Sequence, residues 1–355
     1  MYRYIGNKTR LTPWLISRIK EVTPSGGTVA DPMCGTGSVS EALRRSGYRV
    51  VASDIMTYAV HHARVRLLMR EPPAFSGIGV PYAKVLNSLN GLGFVEGLFH
   101  REYSPGGSPL NGEEARKYLT SANASRLDAM NAQIRAWLAA GKITELEDSL
   151  LRHDLIMAVN RVANIAGTYG HYRSTFSKSS LAELILTPTQ FNSAFRTDHT
   201  VLQGPAEDVA GQLVADACYI DPPYMKRQYA ANYHLIETVA RGDEPEAVGV
   251  SGLRPWRDQY SVFCTRTRIQ EAFRRVIEDS CCPVFLISYS SDGLLKEDEL
   301  AELFEPLGQM SIERRVFPRF RSNKSELGPM VTEYLITLVK ADSALAQVQH
   351  AVGAI

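Results

Sequence analysis

Thr28-Val29-Ala30-Asp31-Pro32-Met33-Cys34-Gly35-Thr36-Gly37-Ser38 is the stretch on which the fold turns. A short apolar run stops at an acid, a glycine-rich loop follows, and an amphipathic segment then ends near Gly47. Residues 48–53 form a second apolar run, which stops at another acid, Asp54. Strand, loop, helix, strand and acid in that order make one half of a doubly wound α/β nucleotide-binding fold. Upstream, Thr12 as cap and Pro13 in the first turn predict a helix reaching about Glu21. Downstream, residues 59–69 are amphipathic and stop before Pro72-Pro73.

Between 72 and 112, glycine and proline recur too often for regular core elements. From 113 to 165 the chain is helical in character, above all over 126–140 and 154–165. A loop rich in Gly, Tyr and basic residues follows at 167–173. The α/β pattern resumes after 200. Residues 216–220 read as a strand running into Asp221-Pro222-Pro223-Tyr224, and 283–289 and 332–339 as two more. Helices at about 230–240, 265–280 and 296–304 separate them. The expected architecture is α/β, with a Rossmann-like core and a mostly parallel sheet, interrupted by a partly helical lobe. The core is discontinuous (1–74 and 201–340), the insert spans 75–200, and 341–355 reads as a frayed tail.

The 355 residues carry 39 Lys+Arg against 38 Asp+Glu, with 45% hydrophobic and 22% charged residues. That excludes a disordered, collagen-like or coiled-coil chain, and also a uniformly basic nucleic-acid binder. It leaves room for a locally basic face. Five Cys with no CxxC pair argue against a disulfide framework or zinc ribbon, and no cluster of His, Cys and acids suggests a metal. Neither an apolar leader nor a run approaching ~18 apolar residues is present, so a soluble cytoplasmic protein without a membrane partner is expected.

Three constellations carry chemistry. In residues 31–38 the glycines let a ligand approach the backbone, while helix-start amides offer donors. Asp31 suits the ammonium of an amino-acid moiety better than a phosphate, and neither a P-loop Gly-Lys-Ser/Thr nor GxGxxG is met. Asp54 stands about twenty residues past the loop, where an acid can accept both hydroxyls of an adenosine ribose. Its alternative role is as a helix cap for the segment beginning at Ile55 or Thr57. The decisive element is Tyr219-Ile220-Asp221-Pro222-Pro223-Tyr224. Two successive prolines lock an extended turn that presents the Asp carboxylate, a proline carbonyl and a flat Tyr face as fixed groups. An exocyclic amino group on a planar base needs two acceptors and an aromatic platform, and accepting both of its hydrogens aims the nitrogen lone pair at an electrophilic methyl.

These residues, with Tyr4-Ile5-Gly6-Asn7-Lys8-Thr9-Arg10-Leu11, resemble the S-adenosylmethionine-dependent DNA N6-adenine methyltransferases. The order of N-terminal element, cofactor loop, insert and catalytic tetrapeptide is that of the group including Dam-type methylases, of restriction-modification or orphan type. The resemblance covers about 1–70 and 201–340. It implies that Tyr4, Gly6, Asn7 and Lys8 close over the methionine part of the cofactor. It assigns Asp31, Pro32, Met33, Cys34, Gly35, Thr36 and Gly37 to the cofactor loop, Asp54 to the ribose and Ile55 to the adenine ring. Asp221, Pro222, Pro223 and Tyr224 become the catalytic turn that holds and stacks a flipped adenine. The acceptor for the cofactor's own adenine amino group, sought in 201–208, is not assigned.

Double-stranded DNA is the implied partner, lying in a cleft between core and insert. Tyr169, His171 and Arg173 in the insert are candidate groove or flanking contacts. Lys226, Arg227 and Tyr229 mix cations and aromatics after the turn, equally readable as a solvated helix start. Residues 311–330 read as a basic loop in which Arg319, Arg321, Asn323 and Lys324 meet phosphates, or as a merely solvated one. Three readings stay beside adenine methylation: N4-cytosine methylation, RNA adenine methylation, and a non-catalytic DNA-binding relative. Cys34 lies in the cofactor loop and the chain has no Pro-Cys, so a cytosine C5 nucleophile is absent. A separately acting cognate restriction endonuclease, and the choice of monomer or dimer, stay open.

Overall fold

The computed structural model describes Lys8 and residues 11–111, 113–318 and 330–341. These fall into two compact units. One comprises the described residues within Gly6–Ile55, Phe195–Gln228 and Ser261–Ile355; the other comprises Met56–Ala194 with Tyr229–Tyr260.

The first unit holds the whole sheet: β1 (Thr28–Asp31), β2 (Arg49–Asp54), β3 (Thr200–Gln203), β4 (Ala217–Ile220), β5 (Val284–Ser290), β6 (Gly308–Pro318) and β7 (Met330–Lys340). Their spatial order is β3-β2-β1-β4-β5-β7-β6. The first five run parallel, while β7 and β6 are antiparallel additions at one edge, so the expected mostly parallel α/β sheet is borne out. All seven residues of β5 are buried, as a central strand covered on both faces requires. Chain order reverses between β1 and β4, which opens a crevice at the strands' carboxyl ends. Asp31 and Asp54 end β1 and β2, and Asp221 follows the last residue of β4.

Two strands depart from the sequence reading. β3 is only four residues long, and its Gln203 lies opposite Asp54. β6 occupies the first part of the expected basic loop and pairs with β7 along its length. It is a sheet-edge strand, so polar and charged side chains facing solvent suit it and blur its hydrophobic signature. Its cations are engaged within the unit: Arg314 Nε donates to the Glu297 carboxylate at 3.1 Å, and the Arg315 guanidinium lies 4.5 Å over the Trp14 ring. Helix Thr12–Val22 starts one residue earlier than the Thr12 cap predicts, with Leu11 at its N-cap. Thr12 Oγ1 instead donates to the Lys8 carbonyl (2.9 Å), which also accepts the amides of Leu11 (2.8 Å) and Thr12 (2.9 Å). The backbone of Lys8 is thereby held in place.

The second unit is helical. Two of its helices, Tyr82–Asn90 and Leu98–Tyr103, lie in the region read as too punctuated for regular elements. Pro81 and Gly91 sit at the two ends of the first as caps rather than breakers. The second is capped from afar: Asp128 accepts the amides of Gly97 (3.0 Å), Phe99 (2.8 Å) and His100 (2.7 Å). Helices Ser121–Ala139 and Glu145–Val162 start earlier than read, the latter behind a Thr144/Glu147 capping box. Helix Thr57–Leu68 has Met56 at its N-cap, and its first amides, Thr57 (3.1 Å) and Tyr58 (3.2 Å), donate to the Glu237 carboxylate. Among the described residues no helix is long and apolar enough to cross a membrane.

Candidate active site

The loop after β1 is built by short-range bonds in which its glycines matter. Gly35 and Gly37 take φ of +52° and +74°, a region that strains any residue with a Cβ. The Gly37 amide donates to the Cys34 carbonyl (2.8 Å), and the Cys34 amide to the Ser53 carbonyl (3.0 Å). Ser53 Oγ returns a bond to the Pro32 carbonyl (3.0 Å), while the Gly35 amide donates to Asp54 Oδ2 (2.8 Å). The two acid-ended strands thus fix the loop between them. Met33 and Ile55 are half-buried, Thr36 is buried, and burial followed by the charges of Asp54 and Asp31 keeps the Cys34 thiol protonated.

Asp31 is 1% exposed, and its Oδ2 accepts from Ser40 Oγ at 2.5 Å. Burial pushes this carboxyl up to about 7; Ser40 opposes the shift, and the charges of Asp221 and Asp54 add to it. Asp31, Asp54 and Asp221 meet at one sheet edge, where the latter two disfavour charge on Asp31, and form an electronegative pocket that a bound cation would relieve. S-adenosylmethionine offers both an ammonium and a sulfonium, so the donor set fits that group.

On the far side of β1 the Asp221–Tyr224 turn leaves β4. Pro222 is buried, and Pro223 and Tyr224 are half-buried. Asp221 Oδ1 lies 3.3 Å from Lys8 Nζ, and the same ammonium lies 3.2 Å from Glu333 Oε2. It also stands 5.6 Å from the centre of the Tyr224 ring. Burial opposes charge on Lys8, but Asp221 and then Glu333 outweigh it and raise its pKa well above the ordinary value. Burial pushes Asp221 up to about 6; Lys8 pulls it down and Glu333 pushes it further up. The Tyr224 carbonyl accepts the Leu294 amide (2.9 Å), and its ring meets Tyr289 edge-on with centroids 5.9 Å apart. The platform is therefore fixed at both backbone and ring.

Glu333, Ser40, Ser53 and Tyr289 escape the sequence reading. Glu333 arrives only through strand register: β7 runs antiparallel to β5, and the Ser290–Glu333 pairing sets it at the carboxyl edge. If activity needs ionised Asp221, the rate falls as pH drops through about 6. Glu333→Gln removes a charge that raises Asp221, so the acid limb of the kcat profile moves to lower pH. An unmoved limb in a methyl-transfer assay overturns this.

Of the predicted DNA contacts, Lys226 and Arg227 are exposed in the first unit, and His171 and Arg173 in the second. Tyr229 is half-buried and stacks on Tyr233 with centroids 5.6 Å apart. Tyr169 is fully buried, its ring 6.1 Å from that of Tyr233, so it anchors its loop from within. Tyr4, Gly6, Asn7, Arg319, Arg321, Asn323 and Lys324 lie outside the described residues.

A nucleotide-type crevice holding acids for a cationic cofactor, beside a rigid Asp-Pro-Pro-Tyr turn, defines the class: a Rossmann-like amino-methyltransferase. Residues 4–302 match the D12 class N6 adenine-specific DNA methyltransferases. The chain belongs to this family, which uses S-adenosylmethionine, and the resemblance read from its motifs is borne out. It is 30% identical over 326 residues to the type II methyltransferase M.NlaIII of Neisseria lactamica, covering 91% of this chain and 93% of that one. It is 31% identical over 347 residues to M.FokI of Planomicrobium okeanokoites, covering 95% of this chain but 52% of that protein. The modification methylase LlaI of Lactococcus lactis subsp. lactis shows 28% identity over 351 residues, 95% of this chain and 55% of LlaI. The chain thus spans about half the length of M.FokI and LlaI and nearly all of M.NlaIII.

Proposed function

We propose that this chain methylates N6 of an adenine extruded from double-stranded DNA, as the modification half of a restriction-modification pair. The Lys8-held Asp221 in the rigid turn carries this reading. Extrusion costs a few kcal/mol of unstacking, which phosphate and pocket contacts offset. S-adenosylmethionine supplies the methyl group, and the acids of the crevice bind and orient it: Asp31 at the amino-acid end, Asp54 at the ribose, and Ile55 at the adenine ring. Asp221 and the Pro222 carbonyl accept the two amino hydrogens while Tyr224 stacks on the base. The nitrogen lone pair then points at the methyl carbon. When bound, S-adenosylmethionine would supply the methyl for the new nitrogen–carbon bond at the expense of its own carbon–sulfur bond, and Asp221 is the base that takes the surplus proton from nitrogen.

Residues 75–200 serve target recognition, with Arg173, Lys226 and Arg227 on phosphates. Relatives named as type II methyltransferases and modification methylases support the restriction-modification role, and a DNA substrate the cytoplasmic location. Nucleoside mass spectrometry of DNA from cells expressing the chain should show 6-methyladenine; 4-methylcytosine instead would overturn the choice of base. Asp31→Ala weakens cofactor binding about thirtyfold, the scale of a hydrogen bond to a charged group. Isothermal titration showing no loss removes Asp31 from that role.

A further inference from the structure

The tight hairpin at residues 248–253 in the second unit turns between Val248 and Leu253, whose backbones exchange hydrogen bonds of 2.9 and 2.8 Å. Gly249 and Gly252 adopt φ of +68° and +66°. A Cβ on Gly252 would come within 2.9 Å of both Arg116 and Tyr103, so the turn sits directly on these side chains.

An exposed turn ordinarily leaves its carbonyls to water. Here the buried interior takes four in a row. Arg116, wholly buried, donates to the carbonyls of Gly249 (2.9 Å) and Val250 (3.1 Å) and is itself paired with the Glu102 carboxylate (3.0 Å). The Tyr118 hydroxyl lies 3.1 Å from the Ser251 carbonyl, and the Tyr103 hydroxyl donates to that of Gly252 (2.8 Å). Burying an arginine and two tyrosine hydroxyls to grip a surface turn carries a desolvation penalty that hydrophobic packing would not. The effect is to hold a rigid turn whose outer face is aliphatic: Val250 is 63% exposed and Val248 44%.

The hairpin is also tied to the loop at 167–173. Ser251 Oγ donates to the Gly170 carbonyl (2.8 Å), and His171 Nδ1 lies 3.3 Å from that Ser251 hydroxyl oxygen. The apolar tip is therefore bonded to the loop that carries exposed Arg173. A cation for phosphates next to an apolar probe is the pairing by which proteins position on a duplex and touch its bases.

We propose that the 248–253 hairpin is a second DNA-contacting element, with Val250 packing against bases of the duplex while Arg173 holds a phosphate. This rests on the reading of the chain as a DNA methyltransferase. The test is binding of a short synthetic duplex carrying the methylation site mapped by sequencing, measured across a salt series with wild type, Val250→Ser and Arg173→Ala. Val250→Ser should weaken binding about tenfold with the slope of log Kd against log salt unchanged, and with the melting temperature of wild type. Arg173→Ala should reduce that slope by about one. Wild-type affinity for Val250→Ser, or a loss accompanied by a changed salt slope, overturns the hairpin's role while leaving the enzyme's. A wild-type protein that neither binds nor methylates the duplex overturns the underlying reading instead.

Discussion

Asp221→Ala should lower methyl transfer about 10³-fold while leaving most cofactor binding in place. Asp221 lies one residue past β4, and the two prolines after it fix the turn whether or not the carboxylate is present. On the proposed mechanism the variant keeps the scaffold and loses the acceptor that orients the amino group and receives its proton. Asp31 and Asp54 stand on separate strands and keep their bonds to Ser40 and Gly35. Single-turnover transfer to duplex DNA, set beside isothermal titration of the cofactor, separates the two effects. Near-normal turnover would sink the assignment of Asp221; a parallel collapse of cofactor binding would reassign it to the cofactor pocket.

Lys8→Met should be the other severe change, and it acts on both stability and rate. Lys8 is 5% exposed and its ammonium lies between Asp221 and Glu333. Removing one partner of a buried ion pair leaves uncompensated charge, typically a loss of about 3–5 kcal/mol. Buried Glu333 and half-buried Asp221 then face each other without the cation, so Asp221, already raised to about 6, moves higher. The sign is definite: at neutral pH more Asp221 is protonated, the rate falls, and raising the pH restores part of it. Thermal unfolding reads the stability loss, and a kcat profile reads the recovery. A variant equally slow at every pH would show that Lys8 does not set the ionisation of Asp221.

Much of the crevice was legible in one dimension, because the decisive features are local. Asp31 and Asp54 close apolar runs, Gly35 and Gly37 sit in a loop that needs positive φ, and Pro222-Pro223 restrict only themselves and their neighbours. The start of helix Glu145–Val162 was equally open to reading, since Thr144 and Glu147 spell its capping box. Helix Leu98–Tyr103 was not, because its cap, Asp128, comes from another helix. β3 is too short for a periodic signal, and β6 is an edge strand whose charged faces imitate a loop.

The sequence by itself determined the two acid-ended strands β1 and β2, the glycine-rich loop between them and the rigid turn, since each depends on residues a few positions apart. The tertiary structure alone decided which charges meet. Lys8 and Glu333 stand 325 residues apart, and only the antiparallel register of β7 on β5 brings that carboxylate to the ammonium beside Asp221. The ionisation of the site is a property of that meeting, because a buried charge is governed by its nearest partners in space.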